Sequence, residues 1–207
     1  RCIFCQNFEI AEGNCAKEIS GERLSEIFLE LQEQGAANIN LVTAAHYVPA
    51  VIESLKKAKA QGMDLPVIYN SSGYERVETD VWLPDFKYMD SKLAFAYSRA
   101  KDYPEVARAA IREMMKAAGT CAYDEDGYIQ KGVIVRHLIL PGHTKNSIAV
   151  LDELYGTYGD DLTISLMNQY TPLPQVWNIP DLNRRVTKRE YEKVLDHALD
   201  LGITQGF

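Results

Sequence analysis

Apolar and polar residues recur along the chain with two periods, which predict helices and strands in regular succession. Helical spacing of the apolar residues predicts helices over 21–34, from about 47 to 62, 104–119, 147–155 and 187–202. Between them, short apolar runs predict five strands: NINLVT, PVIYNSS, VWLPDFK, GVIVRHLIL and LTISLM. Near-continuous apolar strands that alternate with helices indicate an α/β fold with a parallel sheet buried on both faces.

The same pattern indicates one domain, residues 1–207, because no low-complexity stretch or Gly/Ser linker divides it. One connection is too short, since only SSGYERVETD joins two strands of the expected sheet, whereas a parallel crossover takes about a dozen residues or more. We therefore expect a segment to be absent between Thr79 and Asp80.

Composition and charge narrow the class of protein. A chain of 207 residues with 46% hydrophobic and 25% charged residues is typical of globular proteins. Its net charge of -7 argues against nucleic-acid binding, which takes a basic surface. No apolar run approaches the ~20 residues that span a bilayer, so no membrane partner is expected. Four cysteines are too few for a disulfide scaffold, which favours a cytoplasmic location.

Candidate chemistry begins at the first residues, RCIFCQN, where Cys2 and Cys5 form a CxxC pair. Such a pair is compatible with half of a zinc site, a thioredoxin-type redox pair or part of an iron–sulfur loop. A redox pair is expected at a helix start after a strand, and a closed zinc site takes two more ligands with their own spacing. Cys15 and Cys121 stand alone and the four histidines are scattered, which disfavours zinc.

Charged side chains inside apolar strands form a second candidate site. Asp85 and Lys87 share one face of VWLPDFK with Leu83, because strand side chains alternate. Arg136 lies inside the most apolar strand. Charges in such strands either pair with each other or meet a ligand. Two alternatives remain open for Arg136, namely a ligand carboxylate and an ion pair with Asp85.

Several landmarks together resemble the radical S-adenosylmethionine (SAM) superfamily. CIFCQN resembles the second and third cysteines of its CxxxCxxC motif, followed by the Asn of the activating-enzyme branch. INLVT with a following His, YNSSGYE, LPDFKYMD, VRHLILPG, SLMNQYTP and LNRRVTKREYE look like the landmarks of homologues of the pyruvate formate-lyase activating enzyme. The resemblance implies a partial (β/α)6 barrel of the radical SAM type, its first strand outside the sequence shown.

The resemblance also implies cofactors and their residues. It implies a 4Fe-4S cluster held by Cys2, Cys5 and a third cysteine upstream of Arg1, with SAM on the open iron and cleavage of SAM to a 5′-deoxyadenosyl radical. It assigns a set of residues to SAM or its surroundings: Asn7, Thr43, His46, Asn70, Ser72, Asp85, Lys87, Arg136 and Gln169. Turn, cap, ion-pair or packing roles are the plainer alternatives for these positions.

The chain departs from the family pattern at one place. Many relatives carry Gly-Gly-Glu where this sequence has TAAH, residues 43–46. Backbone carbonyls are therefore the expected acceptors for the SAM amino group, and His46 is expected to line the site.

The partners that the resemblance implies are a glycyl radical enzyme as substrate and a reductant such as flavodoxin or ferredoxin. Within the same class, the alternative is radical modification of another protein, a peptide or a small molecule. Outside it, the alternative is a non-catalytic metal-binding domain on a barrel scaffold.

Overall fold

Helices and strands alternate along the chain in the computed structural model, which describes residues 2–7, 16–42, 44–71 and 79–207. The strands are β1 Ile39–Leu41, β2 Val67–Ser71, β3 Val81–Pro84, β4 Ala122–Tyr123, β5 Ile129–Leu138 and β6 Thr163–Met167. The helices are α1 Gly21–Glu33, α2 Val48–Ala60, α3 Ser91–Ser98, α4 Tyr103–Ala118, α5 Thr144–Tyr158 and α6 Lys188–Leu201. Short 3-10 turns lie at Ala44–His46, Gly159–Asp161 and Pro174–Val176.

A parallel sheet organises the described residues, with its strands in the order β1-β2-β3-β5-β6. β4 pairs antiparallel with β5 and forms a short irregular hairpin beside this sheet. The predicted parallel α/β sheet is therefore confirmed, and it is compatible with a partial barrel. The barrel itself stays a prediction. The segment expected between Thr79 and Asp80 also stays a prediction, and residues 72–78 just before it lie outside the described part.

One face of the sheet is buried under helices and forms the main core. Its strand residues alternate along the sequence, as in β5, where Val133, Val135 and His137 are fully buried. They pack with apolar residues of α4, α5 and α6, including Ile111, Leu151 and Val194. Burying a large aliphatic side chain contributes roughly 1.5–3 kcal/mol, so this face supplies much of the fold's stability.

The opposite face of the sheet, which we call the open face, carries the intervening residues and is only partly covered. Its members are Asn70, Leu83, Asp85, Ile134, Arg136, Leu138, Ser165 and Met167. Near the amino ends of the strands, Ile68, Val81 and Ile129 form a small apolar cluster. Its polar side chains lie toward the carboxyl ends of the strands, where ligands bind in α/β sheets.

Two elements of the structure differ from the sequence prediction. α3 was not predicted, because an eight-residue helix offers only two turns of apolar spacing. Asp90 caps it through the backbone N–H groups of Lys92 and Leu93, and Arg99 ends it in a left-handed conformation (φ 56°), where glycine is usual. β4 was also missed, since both of its residues are exposed and show no alternation.

The remaining element boundaries follow the sequence closely. Thr187 and Glu190 form the predicted capping box at the start of α6. The strand predicted over VWLPDFK ends earlier, at Pro84, although Asp85 still forms a parallel bridge with Arg136. None of the helices in the described residues is both long and apolar enough to span a bilayer.

Candidate functional site

The cysteine loop, residues 2–7, is attached through its backbone to the end of α3. The amide of Ile3 donates to the carbonyl of Tyr97 at 3.0 Å. Within the loop, the amide of Cys5 donates to the carbonyl of Cys2 at 3.2 Å and closes a turn between the two thiols. Both thiols are half-buried. The turn therefore holds the two cysteines on a fixed support.

Aromatic packing and one side-chain hydrogen bond hold the same loop from the other side. Phe4 is 5% exposed and packs edge-on against Tyr88 and Tyr170, with ring centroids 6.4 and 6.1 Å apart. The side-chain amide of Gln6 donates to the carbonyl of Gln169 at 3.2 Å, just after β6. The loop thus lies across the carboxyl end of the sheet, between β6 and α3.

An ionic cluster lies on the open face and consists of Asp85, Lys87 and Arg136. The Nε of Arg136 donates to one carboxylate oxygen of Asp85 at 3.0 Å, and Lys87 Nζ pairs with the other. The three side chains are only 23–30% exposed. One carboxylate shared by two cations leaves a net positive charge, which suits an anionic ligand group. Of the two alternatives for Arg136, the pairing with Asp85 is present.

The segment that carries Asp85 and Lys87 is held in place by two helices. Tyr103 of α4 donates its hydroxyl to the carbonyl of Asp85 at 2.7 Å and accepts from the amide of Lys87 at 3.1 Å. Burial raises the pKa of Tyr103 to about 12, so this hydroxyl stays protonated. Asn146 of α5 donates to the carbonyl of Lys87 at 2.9 Å and accepts from the amide of Met89 at 2.9 Å.

A buried histidine fixes β5 to the same segment. His137 is fully buried, and its Nδ1–H donates to the carbonyl of Phe86 at 2.6 Å. Burial lowers the pKa of His137 to about 4, so the imidazole is neutral at physiological pH. Its Nε2 has no hydrogen-bond partner in the part of the chain that the structure describes. His137 therefore supports the site from behind rather than lining it.

The ionic cluster and the cysteine loop lie next to each other. Burial opposes a charge on Lys87, but Asp85, Tyr103 and Cys2 together raise the pKa of Lys87 above its ordinary value. Tyr88, which directly follows Lys87, packs against Phe4 of the cysteine loop with ring centroids 6.4 Å apart. The structure thus brings the two candidate sites of the sequence, at least 80 residues apart, to one edge of the sheet.

The other predicted site residues are less tightly grouped. Asn70 donates its side-chain amide to the side-chain oxygen of Asn40 and, at 3.2 Å, to the carbonyl of Leu41, and so links β1 to β2. His46 is exposed in the 3-10 turn after β1, and Asn7 is exposed at the end of the cysteine loop. Gln169 contacts the cysteine loop through its backbone carbonyl, which accepts the hydrogen bond from Gln6. Roles in SAM binding stay predictions for these residues, and Thr43 and Ser72 lie outside the described residues.

Four residues of the site were missed by sequence reasoning: Tyr88, Tyr103, Asn146 and Ser98, whose hydroxyl donates to Cys2 Sγ at 3.0 Å. The alternation beyond β3 carries a usable signal, since it places Tyr88 on the buried face next to Lys87. Ser98 and Tyr103 had no such signal. Ser98 belongs to the short helix that was not predicted, and the hydroxyl of Tyr103 makes hydrogen bonds that no sequence period indicates.

The donor set of the cysteine loop fits an iron–sulfur cluster in kind, since thiolates are the usual ligands of such clusters. A 4Fe-4S cluster with one open iron takes three of them. Among residues 2–7, 16–42, 44–71 and 79–207, no group of three or more His, Cys, Asp or Glu side chains is placed to hold a metal ion. Cys2 and Cys5 are two thiols, one fewer than such a cluster takes.

Comparison with known proteins supports the fold. No family model matches the chain. A solved structure, that of Streptococcus suis SuiB bound to the precursor peptide SuiA, aligns with a TM-score of 0.61 and 12% identity, over 100% of this chain and 45% of that one. The chain therefore shares the overall fold of the aligned part of SuiB. At this level of identity the likeness extends to the fold alone.

A curated relative is the uncharacterised protein MJ0674 of Methanocaldococcus jannaschii, which is 27% identical over 213 residues. The alignment covers 96% of this chain and 58% of the relative. The chain therefore spans somewhat more than half the length of that relative and less than half the length of SuiB.

Proposed function

We propose that this chain is the catalytic core of a radical SAM enzyme that modifies a protein or peptide. The observation that carries the proposal is that its two candidate sites lie side by side. Phe4, between Cys2 and Cys5, packs against Tyr88 with ring centroids 6.4 Å apart, and Tyr88 directly follows Lys87 of the ionic cluster. This arrangement suits a metal cluster that lies in contact with a charged ligand.

Each group has a distinct role in the proposal. Cys2 and Cys5 hold a 4Fe-4S cluster together with a third thiolate, and the bound cluster supplies the electron that cleaves SAM. Arg136 contacts Asp85 through Nε, which leaves its remaining N–H groups for a ligand carboxylate such as that of SAM. Asp85 holds both cations in position before the ligand arrives, so little side-chain entropy is lost on binding.

Two observations bear on the substrate. SuiB is bound to a precursor peptide in its crystal structure, which supports a peptide or protein substrate for the shared fold. The narrower proposal is an activating enzyme that abstracts hydrogen from a glycine of a glycyl radical enzyme, with flavodoxin or ferredoxin as reductant. That narrower proposal is supported by the sequence landmarks that resemble those of the activating-enzyme homologues.

Metal analysis of the full-length gene product tests the cluster. After anaerobic reconstitution we expect about four iron and four sulfide per chain, lost on exposure to air. Cys5→Ala should abolish cluster retention, whereas Cys121→Ala, which removes a thiol of the β4–β5 hairpin, should retain it. One zinc per chain, with no iron, would support the non-catalytic metal-binding alternative. A full cluster in Cys5→Ala would refute the ligand assignment.

A further inference from the structure

A chain of hydroxyl groups leads from the protein core to the sulfur of Cys2. The hydroxyl of Ser98, at the end of α3, donates to Cys2 Sγ at 3.0 Å. The hydroxyl of Tyr88 lies 2.8 Å from the same Ser98 oxygen. Cys2 and Ser98 are 96 residues apart in sequence, so the contact exists only through the fold.

The direction of these hydrogen bonds follows from the single hydrogen that each hydroxyl carries. Ser98 donates its hydrogen to Cys2 Sγ. The Ser98 oxygen therefore accepts from the hydroxyl of Tyr88, whose side chain is fully buried.

Packing rather than solvent fixes this chain in place. The ring of Tyr88 packs edge-on against Tyr103 with centroids 5.4 Å apart, and against Phe4 of the cysteine loop at 6.4 Å. Next to Ser98, the carbonyl of Tyr97 accepts the amide of Ile3. The ring of Tyr88 and the backbone next to Ser98 thus both contact the cysteine loop. These two contacts keep the geometry of the hydrogen bond between Ser98 and Cys2 constant.

We propose that Ser98, oriented by Tyr88, is a positioning residue that raises the reduction potential of a cluster bound through Cys2. The inference rests on the proposed function, since it concerns that same cluster. A hydrogen bond to a ligating sulfur stabilises the reduced cluster more than the oxidised one, because the reduced cluster carries more negative charge on its sulfurs. Ser98 thus makes the cluster easier to reduce.

A redox titration of the reconstituted full-length protein, without SAM or substrate, tests the inference. Cluster reduction is followed by electron paramagnetic resonance in wild type, Ser98→Ala, Tyr88→Phe and the control Ser91→Ala, an exposed serine at the start of the same helix. We expect Ser98→Ala to lower the ratio of reduced to oxidised cluster several-fold at a fixed potential; a tenfold fall equals about 59 mV for one electron. Tyr88→Phe should shift the ratio in the same direction by less, and Ser91→Ala should match wild type.

Each outcome separates this inference from the proposed function. Equal potentials in wild type, Ser98→Ala and Tyr88→Phe, all with full clusters, overturn the inference alone. If Ser98→Ala fails to hold a cluster, Tyr88→Phe and the rescue variant Ser98→Thr decide: the inference requires a lowered potential in the first and a near wild-type potential in the second. If wild type binds no cluster, the proposed function fails, and this inference fails with it.

Discussion

Substituting Asp85 by Asn should destabilise the fold by leaving two cations of the open face without their shared partner. Arg136 and Lys87 both pair with Asp85, one on each carboxylate oxygen. Asn keeps the volume and a carbonyl oxygen but removes the negative charge. The change thus isolates the electrostatic role of Asp85 from its packing.

The expected magnitude follows from the burial of the three side chains. Exposed ion pairs contribute about 0–1 kcal/mol, whereas breaking a buried pair costs about 3–5 kcal/mol. With Asp85 26% exposed and its partners at 23% and 30%, we expect an intermediate loss. We take this as about 2 kcal/mol in the free energy of unfolding, which for a chain of this length lowers Tm by about 4–8 °C.

A double-mutant cycle measured by thermal and urea unfolding tests the assignment. The single variants Asp85→Asn and Arg136→Gln and their double variant should show a coupling energy of about 1–2 kcal/mol. As a control, the exposed pair Arg23–Glu30 of α1 should show a much smaller coupling, because water screens it. Additive effects at Asp85 and Arg136 would refute the ionic cluster as a preorganised site.

Three further predictions concern the ligand, the pH dependence and the hairpin. Arg136→Ala should raise the dissociation constant of SAM by about tenfold or more in equilibrium dialysis while cluster content is unchanged; unaltered affinity would remove Arg136 from the site. Burial lowers the pKa of His137 from 6.5 to about 4. Urea unfolding should therefore show the full free energy of unfolding above pH 6.5 and a loss of roughly 3 kcal/mol as the pH falls toward 4. The variant His137→Asn should not show this loss. Gly132→Ala places a Cβ 2.7 Å from the Cα of Cys121 and should cost about 3 kcal/mol by thermal unfolding, clearly more than Gly127→Ala, which meets open space.

The pattern of the sequence was sufficient for the sheet and for the charges on its open face. The two-residue period inside β5 separates Val135 and His137 from Arg136, so the face on which the arginine lies could be predicted. The same alternation continues past Pro84 and places Asp85 and Lys87 together. This two-residue alternation is a local property of the chain, and it continues in the structure beyond the end of β3 at Pro84.

The support of the cysteine loop could not be predicted, because it depends on contacts distant in sequence. α3 is two turns long and ends on Arg99 without a glycine, so periodicity and stop signals were both weak. Its Ser98 contacts Cys2, 96 residues earlier in the sequence, only through the tertiary fold. Buried hydroxyl contacts of this kind leave no periodic trace in a sequence, in contrast to the charges of the open face.

Cleavage of SAM tests the central claim most directly. The full-length protein, reconstituted anaerobically and reduced with dithionite, is incubated with SAM, and nucleoside products are separated by chromatography. The account predicts formation of 5′-deoxyadenosine by wild type and none by Cys5→Ala. A wild-type protein that carries a full, reduced cluster and leaves SAM intact would contradict it.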